Sequence, residues 1–305
     1  MKIFFRIKKI ALWFGVAFFI VSFGTIVFMS FAQRQLIVDV NKKSLQISAS
    51  EKSAQVNIFL EFQKENLRII SSMNVFKEAV LHPDDPAKIE IAKDRIDELK
   101  SVLPGISLLT NEGIVLNGEI DLSEIVVNGQ SYFALKEKKI IVKYYYCECR
   151  KKDFYVIAGP IYDSIEKDKV IGIIAFDIEL EKISALMKEN LDSGENEEVY
   201  LIDENGLLLS GSKYIGKDNK GGILIQEVKS DGAKNCLEHI KKYSKGESVE
   251  EHTEDILQYT NYMGDEVFGA HAYVPEIMGC VVAEESADEI LKFSMLYYIK
   301  NIFNK

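Results

Sequence analysis

Proline and glycine are missing where they would break a helix. The chain of 305 residues carries 5 Pro and 19 Gly, and neither type occurs from Thr25 to Leu81. These are the strongest helix breakers, so their absence predicts one continuous helix across that stretch. Charge is missing from Ile10 to Ala32 (IALWFGVAFFIVSFGTIVFMSFA), which spans 23 residues. At 1.5 Å per residue such a helix is about 35 Å long, enough to cross a bilayer core of about 30 Å. Ser30-Phe31-Ala32 resembles a signal-peptide cleavage site, but the run exceeds the apolar core of ordinary signal peptides. A retained anchor is therefore expected. Lys2, Arg6, Lys8 and Lys9 flank it. The positive-inside rule puts that end in the cytoplasm and the rest of a single-pass cell-membrane protein outside.

Other absences narrow the function. No long basic block exists and the formal net charge is −10, which argues against nucleic acid as a partner. There is no G-x-S-x-G elbow, no H-E-x-x-H and no Walker loop, so no enzyme is expected. Asp203 and Asp231 read as turn formers rather than acid–base catalysts. The four histidines, His82, His239, His252 and His271, lack metal-ligand spacing, so neither metal nor cofactor is expected. Cys147, Cys149, Cys236 and Cys280 leave three pairings open, or buried thiols. A Cys147–Cys149 bond would strain an extended strand, so inert buried thiols or one Cys236–Cys280 bridge are expected.

What is present falls into segments. Residues 1–9 are a basic cytoplasmic end, 10–32 the membrane helix and 33–82 a long stalk helix. Phe62, Ile69, Met73, Phe76 and Val80 form an apolar stripe along the stalk. His82-Pro83-Asp84-Asp85-Pro86 ends it. A second helix starts with Asp85 as N-cap and Pro86 at its first position, and stops at Pro104-Gly105. Short β-rich runs follow at Ile106–Thr110, Gly113–Leu116, Ser131–Leu135, Lys139–Cys149, Phe154–Tyr162 and Val170–Ile178. Leu180–Met187 then reads as a connecting helix.

The strand pattern starts again at the next segment. Leu108 to Leu116 aligns without a gap on Leu201 to Leu209, each a strand, a tight turn ending in Gly and a strand. Ala158–Tyr162 and Ile171–Ile174 resemble Gly269–Tyr273 and Met278–Val281. Matches in the same order, at offsets of 93 and 107, indicate a duplicated module. Residues 83–190 form the first copy and 191–290 the second. Ile223–Tyr243 is helix-prone and Gln258–Met263 strand-like. The fold class is α+β: two modules, each an antiparallel sheet with helices on one side, behind a transmembrane helix.

These pieces together resemble the double Cache sensor domain of bacterial and archaeal receptors. The resemblance covers about 33–290. It rests on Ala158-Gly159-Pro160-Ile161-Tyr162-Asp163 with Val170–Leu180, on Glu198–Gly206, and on Asn261–Ala270 followed by Val274-Pro275. The family usually has Trp where this chain has Cys280. The resemblance implies a small-molecule sensor in signal transduction, as in chemotaxis, with a membrane-distal module binding an amine, amino acid or carboxylate. Asp177 matches the acid on that module's last strand. Tyr132, Tyr144 and Tyr146 fall where pocket aromatics are expected, and Glu148 lies near the place of a second acid. The Arg that would fork onto a ligand carboxylate is replaced in Asn128–Phe133, which leaves a cationic or neutral ligand. On an extended strand Tyr144, Tyr146 and Glu148 share one face, and two phenols with a carboxylate suit an amine. The alternative for Asp177 is a helix N-cap before Glu179-Leu180-Glu181.

Receptors of this kind return through the membrane to a kinase, cyclase or chemoreceptor signalling domain. Residues 291–305 are apolar but interrupted by Lys292 and Lys300, which fits an amphipathic tail or the start of a second crossing. The sensing half of a signalling system whose output domain lies on a partner is therefore expected, and a homodimer through the stalk helices would favour that reading. The alternatives are a surface binding or structural ectodomain, or a truncated receptor.

Overall fold

A computed structural model describes residues 2–100, 102–103, 105–118, 140–147, 152–188, 197–211, 226–244 and 257–292. Helix α1 runs from Lys2 to Ser71. It is the one helix among the described residues long and apolar enough to cross a membrane. Trp13, Phe18, Phe19, Phe28 and Met29 on its first part are exposed, as expected of side chains that meet lipid.

The helix stops short of the expected Leu81. The Ser71 and Ser72 hydroxyls donate to the carbonyls of Arg68 and Ile69 at 3.0 and 2.6 Å, competing with the helical ladder. Met73 is extended and caps a separate helix α2, Asn74–Leu81. The apolar stripe read from the sequence is split by this break. Phe62 and Ile69 are exposed, whereas Phe76 and Val80 are buried. Residues that pack α1 onto the protein are Leu45, Ala49, Val56, Leu60, Leu67 and Ile70. Helix α3, Pro86–Leu99, begins as expected: Ala87 N donates to the Asp85 carboxylate at 3.0 Å.

Two antiparallel sheets follow. The first contains β1 (Ser107–Thr110), β2 (Val115–Asn117), β3 (Ile141–Cys147), β4 (Lys152–Tyr162) and β5 (Val170–Glu179), in spatial order β2-β1-β5-β4-β3. Helix α4, Leu180–Lys188, leads to the second sheet. That sheet holds β6 (Glu197–Ile202), β7 (Leu257–Thr260), β8 (Glu266–Val274) and β9 (Gly279–Ser286), in order β6-β9-β8-β7. Helix α5, Asp231–Ser244, precedes β7, and α6, Ala287–Leu291, follows β9. Strand β7 ends earlier than the expected Met263, because Asn261 Oδ1 accepts from the backbone N–H of Met263 and Asp265 and closes a turn.

The repeat is written into the register. Leu108 pairs with Ile174, and Leu201 with Val281. The two pairs differ by the same offsets, 93 and 107, that the sequence alignment gives. The turns match as well. Gly113 N donates to Thr110 O, and Gly206 N to Asp203 O, both at 3.0 Å, with both glycines at positive φ. Only the hairpin partner shifts: the ladder sets Val156 beside Asp177 and Gly269 beside Glu284, an offset of 113.

Helix α1 touches both sheets. It meets the second one first: Ser53 Oγ donates to Tyr273 O at 2.5 Å, and the ammonium of buried Lys52 to Leu186 O at 2.7 Å. Further on Lys64 pairs with Glu276, and Leu67 packs where Gly159 of β4 leaves space. One continuous apolar core joins this helix to Tyr155, Ile157, Phe176, Val281 and Ala283 of both sheets.

Candidate functional site

Strand β5 is buried on both faces. Ile174, Phe176 and Ile178 join the core under α1. Side chains alternate along a strand, so Ile173, Ala175 and Asp177 lie on the opposite face, away from that core. They are nevertheless buried, with Asp177 only 1 % exposed. A carboxylate sunk this deep needs compensating partners. One neighbour is backbone: Gly105, at φ +68°, lies so close that a Cβ there would sit 2.3 Å from Asp177 Oδ1. Asp177 is inside the strand, three residues before α4 begins at Leu180. The N-cap role open to it in the sequence is thus excluded by strand continuing through Glu179.

The register sorts the other candidates. Asp177 pairs with Val156, and Val156 with Lys143. Tyr144 pairs with Tyr155, whose row continues to Ile178, and Tyr146 pairs with Asp153. Directly opposed residues share a face and successive rows alternate. In backbone register, position 143 is in the row of Asp177, and positions 144 and 146 are in other rows. Sequence reading had grouped Tyr144 with Tyr146 and set Tyr145 apart, but could not give the strand register. Tyr132 and Glu148 lie outside the described residues. Surface grooves of about 470 and 460 Å³ lie elsewhere, between α2 and α3 and between α1 and β4.

The second module has its own buried polar cluster, which sequence reading missed. Glu284 stands on β9 at the place equivalent to Asp177, one repeat offset of 107 away, and is 2 % exposed. The hydroxyls of Tyr200 and Tyr259 donate to its Oε1 at 2.7 and 2.6 Å. Glu198 is its direct cross-strand partner and accepts from Tyr262 at 3.1 Å. Burial pushes the Glu284 carboxyl up to about 7; the hydroxyls of Tyr259 and Tyr200 pull it down, Glu198 raises it, and the Asn261 side chain lowers it. Burial, then the Glu284 charge, holds both phenols well above their ordinary range. The alignment offset alone would have flagged Glu284.

Helix α5 covers this face. Cys236 on α5 is bonded to Cys280 on β9, with Cα atoms 6.3 Å apart. Of the two outcomes the sequence left open, the bridge is the one present, and it accounts for a cysteine at position 280, where the wall of the module is crosslinked. One turn further His239 Nδ1 meets His271 Nε2 at 3.2 Å. No cluster of three or more metal-binding side chains exists among the described residues.

A long helix carrying two PAS-like modules, each with a buried acid at the same point of its last strand, is the architecture of a tandem sensor domain. The chain belongs to the Cache domain family, matching its double form (dCache) over residues 30–292. No curated protein sequence matches it. Among solved structures it is similar to the sensor domain of the Vibrio cholerae histidine kinase DctB, with a TM-score of 0.57 at 12 % identity, covering 83 % of this chain and 98 % of that one. The ligand-binding domain of the Pseudomonas aeruginosa amino-acid chemoreceptor PctC, in complex with GABA, gives 0.55 at 15 % identity, covering 81 % and 100 %. The sensory domain of the Campylobacter jejuni chemoreceptor Tlp3, with isoleucine bound, gives 0.54 at 16 %, covering 84 % and 97 %. At such identities these likenesses concern the fold. Family membership makes the chain a ligand-binding sensor domain of signal transduction, carried on an apolar N-terminal helix. Cache domains are sensors rather than enzymes.

Proposed function

We propose that the chain is a single-pass receptor subunit whose first module binds a small organic molecule bearing an amino group, with Asp177 as its counter-ion. The observation that carries this reading is the burial of the Asp177 carboxylate on the sheet face turned away from α1. A cationic group is the natural partner for a buried carboxylate. The related domains of Tlp3 and PctC are described with isoleucine and GABA, both of which carry an amine. The order of contacts along α1 supports a membrane-distal first module and a membrane-proximal second one. The basic flank of the apolar segment supports a cytoplasmic N-terminus. Binding on the first sheet reaches the membrane through α1, because β4 and β5 pack on that helix.

A homodimer through α1 is the second part of the proposal. Leu36, Val40, Ile47, Ile58, Phe62 and Ile69 are exposed. Their spacing, 4-7-11-4-7, is built from helical threes and fours, so they form one stripe. It lies opposite the buried row Leu45, Ala49, Val56, Leu60 and Leu67. A second copy on the same membrane presents the same stripe in parallel.

The test is a thermal-shift screen of the full chain in detergent against amines, amino acids including GABA, carboxylates and purines. A ligand at 100 times its Kd adds about 2.7 kcal/mol of stability. The shift should vanish in Asp177→Ala with the fold retained. A ligand whose affinity is untouched by that substitution sinks the assignment.

A further inference from the structure

The second module also holds an acid that the small-molecule reading does not use. Glu284 has one oxygen, Oε1, held by two phenol hydroxyls. The other, Oε2, is buried and makes no hydrogen bond. Its neighbour across the strand pair is a second buried carboxylate, Glu198, 3 % exposed.

The groups facing Glu284 come from every side. Strand β6 supplies Glu198 and Tyr200. Strand β7 supplies Tyr259, and the turn after it Asn261 and Tyr262. The start of α5 supplies Ser230 and Asp231, both acting on Tyr259. On β8 the direct partner is Gly269, and the next row on this face carries His271, which is bonded to His239 of α5. Among the described residues no lysine, arginine or histidine makes an ion pair with Glu284.

The Tyr259 hydroxyl that holds the acid is itself tightly enclosed. A Cβ at Gly269 would meet the Tyr259 hydroxyl at 2.1 Å, and one at Gly232 at 2.3 Å. The phenol head is thus wedged between two backbones. Two carboxylates placed side by side out of water resist double ionisation, and one of them keeps a proton.

We propose that Glu284, clasped by Tyr200 and Tyr259 and opposed by Glu198, is a proton-binding site, so that the receptor reads pH through its second module in addition to its small-molecule ligand. The placement suits transmission. Strand β9 runs directly into α6, and α6 packs on α1. Losing the proton sets two like charges against each other at the root of that contact. The inference stands on the second module alone and does not depend on a ligand at Asp177.

The experiment uses the full chain in detergent. Infrared difference spectra across a pH titration should show one buried carboxylic-acid carbonyl band that disappears with a midpoint near neutrality. The band should be absent in Glu284→Gln. In Glu198→Gln the midpoint should fall by about one pH unit, because a like charge has been removed. A band unchanged in Glu284→Gln overturns the proposal, as does a wild-type spectrum with no such band. Should Glu284→Gln fail to fold, the wild-type band and its displacement in Glu198→Gln decide alone. If potassium or methylammonium stabilises the wild type at alkaline pH and not Glu198→Gln, the site takes a cation and the proton assignment is wrong.

Discussion

Gly105 and Asp177 are in contact in a way only glycine permits. The Gly105 backbone has φ +68°, and the Asp177 carboxyl group fills the space its side chain would take. Gly105→Ala therefore meets two penalties, a left-handed backbone and a displaced carboxylate. The strained conformation alone costs roughly 1–3 kcal/mol. Chemical denaturation should register that loss. Calorimetry should find ligand affinity reduced beside it, whereas a substitution that only destabilised would leave the Kd unchanged at temperatures where the protein is folded.

Neighbouring residues on α1 should behave oppositely. Leu60 is fully buried and Phe62 is 63 % exposed. Leu60→Ala opens a cavity under both sheets and should cost about 2–5 kcal/mol. Phe62→Ala should cost a single protomer little and weaken its self-association. Denaturation and analytical ultracentrifugation in detergent separate the two effects.

The Cys236–Cys280 bridge closes a loop of 44 residues. Chain-entropy arguments assign such a crosslink about 4 kcal/mol, reached when the native geometry is unstrained. Denaturation of the Cys236→Ser, Cys280→Ser double variant should show a loss approaching that figure. Added reductant should destabilise the wild type by at least as much.

The pH dependence has a definite sign. An unfolded glutamate titrates near 4.5, and folded Glu284 near 7. Between these values the folded protein holds the extra proton, so stability present below the lower value is lost as pH rises through the upper one. The full change is about 3 kcal/mol. Tyr259→Phe removes a donor that favours the ionised form, so the decline should shift to higher pH. Unfolding midpoints measured at closely spaced pH values would show it.

Much of this protein is local and therefore legible in sequence. The anchor follows from an uncharged run long enough to span a bilayer. The Asp85-Pro86 helix start, the Gly113 and Gly206 turns and the strand runs follow from residues that act on their own backbone. The repeat follows from offsets of 93 and 107, because duplicated strands keep their register. Asp177 as a ligand-binding candidate came from family resemblance rather than from spacing.

Which residues meet was decided by the tertiary structure. A strand's two faces are readable from alternation, but which face looks toward α1 depends on its partners. That is why Tyr144 and Tyr146 fall in rows other than that of Asp177. The break after Ser71 has no proline or glycine to announce it; Ser71 and Ser72 capture helix carbonyls while Phe76 and Val80 dock on the first module. Nothing local marks Glu284, and only the repeat offset from Asp177 points to it, since its burial, two phenols and a facing carboxylate come from strands and a turn dozens of residues apart. Sequence by itself determined the long apolar helix, most of the elements and the repeat, because those depend on short-range chemistry. Only the fold decided where charge is buried, because burial is a property of what packs around a side chain.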